Sequence, residues 1–157
     1  MFFNSLANRK SSTVIEAISA TGRTIAPYMI MAGKRRMQNW FNNKLDQASI
    51  FDMSESGFTN DRISVDWLKH FIQQTKSSLT ALKKLLLYNG HSSHDTKEFK
   101  ELAEKNNIIL YMFPPHLTHV MQPLDVGCFQ TYKHFYKLAV YQAVRNMQLS
   151  YDYGCFL

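Results

Sequence analysis

His91 with His94, and His116 with His119, are the residues whose type and spacing first suggest chemistry. Imidazoles three positions apart can share a zinc ion when one turn or helix face presents both. Neither pair lies in a clear helical pattern, which disfavours that use. Cys128 and Cys155 are far apart with no CxxC spacing, so no thiolate zinc site and no disulfide framework can be read. Ser92 and Ser93 stand beside His91, yet no GxSxG elbow surrounds them, and a serine next to a histidine in sequence is seldom its partner in space. Carboxylate-held Mg²⁺ is the remaining chemistry, and it needs anionic oxygens at strand ends. Asp125 supplies one. The apolar run 85–88 ends instead on the neutral amide of Asn89.

Basic residues form a second group. The run Lys34, Arg35 and Arg36 reads as a phosphate-contacting or nuclear-import patch, or simply as a solvated turn. Lys133 and Lys137, together with Lys83, Lys84, His134 and Arg145, flank the same loops and could touch phosphates. Eighteen Lys and Arg against twelve Asp and Glu leave a formal charge of +6, which suits a polyanionic partner.

These residues need a scaffold, and 157 residues with 45% hydrophobic and 19% charged content are enough for one folded domain. A single domain over 1–157 is expected. No window of eighteen uninterrupted apolar residues occurs, which excludes a membrane-crossing helix. The start, MFFNSLANRK, has no apolar core of signal-peptide length. A reducing, intracellular compartment follows from the cysteine usage.

Residues 13–20 and 25–32 read as two strands around the turn Thr21-Gly22-Arg23, hence a β-hairpin, and 49–53 as a short strand. Ile63, Trp67, Leu68, Phe71 and Ile72 recur at helical spacing over 60–74. The runs 85–88 and 108–113 look like strands buried on both faces. Between them, Asp95 and Glu98 are spaced as a capping box ahead of a helix that Asn106-Asn107 can end. A last helix over 123–148 would bury Phe129, Tyr132 and Tyr136, with Asp125 capping its start. Strand and helix alternating at this spacing imply an α/β sheet with parallel members. Ligands then belong at the carboxyl ends of the strands, which is where the loops 89–94 and 114–125 lie.

At those loops the sequence resembles a known family. LLLYNGHSSHDTKEFKELAEKNNIILYMFPPHLTHVMQPLDVGCF is similar to the catalytic domain of the DDE superfamily transposases of the pogo, Tigger and jerky group. NRKSSTVIEAISATGRTIAPYMIMAGKR and SESGFTNDRISVDWLKHF look like upstream segments of the same family, in the same order, so the resemblance covers roughly 8–145. It implies an RNase H-like mixed sheet with flanking helices, and three acidic residues that bind two Mg²⁺ ions for DNA strand cleavage and transfer. The second of those positions matches Asn89 and the third matches Asp125, 36 positions on. No carboxylate stands before Glu16, and Glu16 itself falls within the following strand.

The expectation is therefore a truncated, transposase-derived DDE domain that lacks the first central strand and is catalytically inactive. It keeps weak, sequence-indifferent DNA binding through Lys34, Arg35, Arg36, Lys133 and Lys137, in the nucleus, with no membrane association. His91, His94, His116 and His119 line its site loops. No cofactor is expected; Mg²⁺ at Asp125 would matter only if activity were retained. Alternatives are an active Mg²⁺-dependent endonuclease completed by an upstream segment or a partner chain, and a protein-interaction module. Self-association is expected if the sheet is incomplete.

Overall fold

A computed structural model of the chain describes residues 12–34, 46–89, 96–114 and 122–145. β1 (Ser12–Ile15) and β2 (Tyr28–Ala32) pair antiparallel, Ser12 opposite Met31 and Ile15 opposite Tyr28. Between them the chain reverses at Gly22, whose φ of 81° lies in the left-handed region that glycine takes without cost. Ser19 closes that turn, its backbone N donating to the Arg23 carbonyl at 2.8 Å and its Oγ accepting from the Arg23 N at 3.0 Å. The expected hairpin is present. β3 (Ile50–Ser54) adds to the other edge of β2 in parallel, Met29 opposite Phe51.

α1 (Asp61–Thr75) follows. Asn60 caps it by accepting from the Ile63 N at 3.0 Å, and Lys76 ends it in the left-handed conformation at φ 51°. Its core face sets Ile63, Trp67, Leu68 and Phe71 against the sheet, a spacing the sequence shows plainly. β4 (Lys84–Tyr88), α2 (Lys97–Lys105) and β5 (Ile108–Met112) form a parallel β-α-β unit, Leu86 opposite Leu110. The cap of α2 differs from expectation. Thr96 Oγ1 accepts from the Phe99 N at 3.3 Å, one position beyond Asp95, which lies outside the described residues. A single π-helical turn, Leu124–Cys128, leads into α3 (Phe129–Arg145).

The layout is the mixed α/β arrangement of parallel and antiparallel strands with helices that an RNase H-like domain requires. Among the described residues the strands fall into two sheets, β1-β2-β3 and β4-β5, and no strand joins β1 to β4. One core nevertheless serves both. Tyr28 and Ile30 of β2, the inner face of α1, Leu86, Phe99, Ala103 and Ile108 form a single buried cluster. A smaller cluster on the other face of the first sheet holds Met29, Met31 and Phe51, so β2 is buried on both sides.

Two packing expectations fail. β4 and β5 are buried on one face only: Leu86 and Ile108 point into the core, while Leu85, Leu87, Ile109 and Tyr111 are exposed. Strict alternation along each strand puts the apolar residues of both faces in one unbroken run, and sequence alone cannot tell a covered outer face from a bare one. Likewise Tyr132 and Tyr136 on α3 are exposed and Phe129 is half-buried; helical spacing shows that they share a side, without showing what covers it.

Candidate functional site

β4 and β5 are parallel, so their carboxyl ends lie side by side: Tyr88 stands opposite Met112, and the Phe113 N donates to the Tyr88 carbonyl at 2.9 Å. Asn89 is the next residue after β4 and is exposed at that end. The chain leaving β5 departs from the same end through Phe113, on the way to the π turn that holds Asp125. The loop assignment made from sequence therefore places Asn89 at a strand end, where ligands of α/β sheets sit.

Asp125 is the second residue of the π turn, and that turn has Pro123 before it and no side-chain cap. Asp125 thus lies in the first turn of the last helical stretch, the place where an acidic residue suits a helix N-terminus. Its side chain lies outside the described set, as do His91, His94, His116, His119, Arg35 and Arg36 entirely. Lys34 is exposed just after β2, and Lys133 and Lys137 are exposed one turn apart on α3. None of the 17 residues of α3 is acidic.

The donor set fits two Mg²⁺ ions poorly. Asn89 offers an uncharged amide where the resemblance implies a carboxylate, and an amide oxygen cannot bridge two cations as a carboxylate can. Among the described residues no group of three or more His, Cys, Asp or Glu side chains is placed to hold a metal ion. Glu16, directly after β1, is half-buried, and burial pushes its carboxyl above the usual range. Burial, and then the Glu16 carboxylate, push the Tyr132 hydroxyl up as well, so Glu16 and α3 are electrostatic neighbours.

The most developed polar cluster lies elsewhere and was not read from the sequence. Asp52, buried on β3, accepts from the Tyr28 hydroxyl at 2.8 Å, from the Met53 N at 2.7 Å and from Arg62 Nη2 at 3.1 Å. Arg62 also holds Asp66 at 2.9 Å, and Asp66 in turn accepts from Lys69 at 3.0 Å. Burial opposes ionisation of Asp52, yet the hydrogen bonds from Arg62, Tyr28 and Met53 outweigh it and hold the carboxyl below its ordinary value. Burial, reinforced by the Asp52 carboxylate, pushes the Tyr28 hydroxyl far up, so it stays a donor. This network ties β2 and β3 to the first turn of α1. The available signal was Asp52 among the apolar Ile50, Phe51 and Met53, with Arg62 ten positions on.

Comparison with known proteins gives one family and a few relatives. The model of the DDE superfamily endonuclease family matches residues 8–153. A protein named MFS-type transporter clz9, from Cochliobolus lunatus, is 36% identical over 129 residues, which is 82% of this chain and 14% of that protein. The pogo transposable element with KRAB domain from Homo sapiens is 25% identical over 114 residues, or 73% of this chain and 18% of that protein. Its counterpart from Mus musculus matches to the same extent. The chain thus spans less than a fifth of the length of these relatives. Among the described residues no helix is long and apolar enough to cross a membrane. No solved structure matches the chain significantly.

Proposed function

The chain belongs to the DDE superfamily endonuclease family, and from that premise we propose that it is a transposase-derived domain that binds nucleic acid without cutting it. One observation carries the reading: the end of β4, where the resemblance implies a metal-binding carboxylate, holds Asn89. Two-metal cleavage depends on acidic ligands that clamp two ions about 3.5–4 Å apart. Asp125 by itself would hold Mg²⁺ no better than a surface aspartate does. No cofactor is therefore part of the proposed role.

Nucleic-acid binding is supported by the charge of +6 and by α3, which exposes Lys133 and Lys137 with no acidic residue along its length. Such contacts act by releasing counterions, so they are weak, indifferent to sequence and steeply dependent on salt. A nuclear location goes with this role. The alternative is an active Mg²⁺-dependent endonuclease in which another segment or chain supplies carboxylates, and the small share of its relatives that this chain spans favours testing it.

Fluorescence anisotropy with two duplexes of unrelated sequence tests the binding reading. Affinity should fall steeply between about 50 and 200 mM salt, and the Lys133→Glu, Lys137→Glu double variant should lower the slope of log K against log salt by about 2. No detectable binding at low salt, or a strong preference for one duplex that survives high salt, would overturn it.

A further inference from the structure

Two apolar faces of this chain are exposed. The first is flat. Leu85 stands opposite Ile109 and Leu87 opposite Tyr111 across the parallel ladder, giving two stacked pairs on the outer side of β4 and β5. These four residues are 46–60% exposed. The second is a ridge on α3, where Tyr132, Phe135 and Leu138 follow at steps of three and are 45–62% exposed. At about 100° per residue these three lie along one side of the helix, while Lys133 and Lys137 fall toward the opposite side. Each face reaches the size of the largest apolar patch on a typical monomer, about 300–600 Å², and patches of that size often mark a binding surface.

We infer that the chain forms a two-fold dimer in which the Tyr132, Phe135 and Leu138 ridge of each copy packs on the Leu85, Leu87, Ile109 and Tyr111 face of the other. Area supports a second copy as the occupant. With roughly 200 Å² of surface on each such residue, the seven side chains offer about 700 Å² per copy, close to the ~800 Å² per partner of a stable interface. Dimensions agree as well. Five-residue strands run about 17 Å and two of them are about 10 Å across, which a helix of about 25 Å can span. A two-fold exchange of these faces closes after two copies. The basic side of α3 stays in water, which leaves the proposed nucleic-acid surface open in the dimer and makes this inference independent of that reading.

Sedimentation velocity from about 1 to 100 µM, with far-UV circular dichroism as the folding control, tests it. The unmodified chain should sediment as a dimer. Ile109→Lys on the sheet face and Phe135→Glu on the helix should each weaken dimerisation at least tenfold while the circular dichroism spectrum is kept. Mixing the two variants should restore a dimer, because the introduced ammonium of one then meets the introduced carboxylate of the other across one contact, and the second contact is unaltered. A monomer at every concentration overturns the inference, whether the faces are covered within the chain or by nucleic acid, and loss of duplex binding in both variants would indicate the latter. A dimer indifferent to both substitutions overturns it, and so does a pair of variants that mixing fails to restore.

Discussion

Replacing Asp52 by Ala should cost about 3 kcal/mol, and the figure comes from the three hydrogen bonds its carboxylate accepts. Tyr28 is 2% exposed, so its hydroxyl would lose its partner in a place water does not reach, at about 1–3 kcal/mol. The Met53 N adds a further loss of similar kind. Arg62 adds little, since its side chain is 57% exposed and ion pairs in water are worth about 0–1 kcal/mol. In a domain of this size a loss of about 3 kcal/mol lowers the melting temperature by roughly 6–12 °C. Asp52→Asn should cost less, about 1–2 kcal/mol, because the amide keeps its oxygen for the Met53 N and its NH₂ can donate to a reoriented Tyr28 hydroxyl. Its cost must also depend on pH. The folded Asp52 carboxyl lies below its ordinary value, so its contribution is fully present above the unfolded value of about 3.9 and is lost as pH falls through the lower folded value. Urea unfolding of both chains from about pH 7 down to about pH 3 should show the gap between them narrowing toward acid. An Asp52→Asn cost below about 0.5 kcal/mol at neutral pH, or one that stays constant into acid, would refute the reasoning.

Substitutions at two further positions probe α1 by the same urea unfolding at neutral pH. Asn60→Ala removes the oxygen that accepts from the Ile63 N and should cost about 1 kcal/mol, with Asn60→Ser recovering most of it. Ser64→Ala should be neutral or slightly stabilising, because Ser64 Oγ is fully buried with no hydrogen-bond partner among the described residues; a loss above about 1 kcal/mol would mean that the hydroxyl has a partner in solution.

Much of this fold is legible in the sequence because its local signals are strong. The β-branched run ahead of Thr21-Gly22-Arg23 marks the hairpin, and Ile63, Trp67, Leu68 and Phe71 mark α1 and its buried side. Caps are less legible: Thr96 and Asp95 are both able to cap α2, and only the path of the backbone chooses Thr96. The outer face of β4 and β5 is exposed although its residues read as buried, for a different reason. A residue such as Leu87 carries the same hydrophobicity whether its cover comes from its own chain or from a partner. The Asp52 network escaped because its members come from β2, β3 and α1, and pairing across elements leaves no mark in local spacing. Asn89 was legible as a strand end, since an apolar run stops at Asn89-Gly90, and its chemical meaning came from the resemblance rather than from any pattern of spacing.

The central claim is that the end of β4 in this chain does not support metal-dependent cleavage, and nicking of supercoiled plasmid with Mg²⁺ or Mn²⁺ tests it most directly. The unmodified 157-residue chain, purified free of nuclease, should leave the plasmid supercoiled. Asn89→Asp in the same 157 residues should do the same, because two-metal cleavage needs acidic ligands clamping both ions and, among the described residues, no group of three or more such side chains is placed to hold one. EDTA-sensitive nicking by the unmodified chain would contradict the account and show that other residues hold the metal ions.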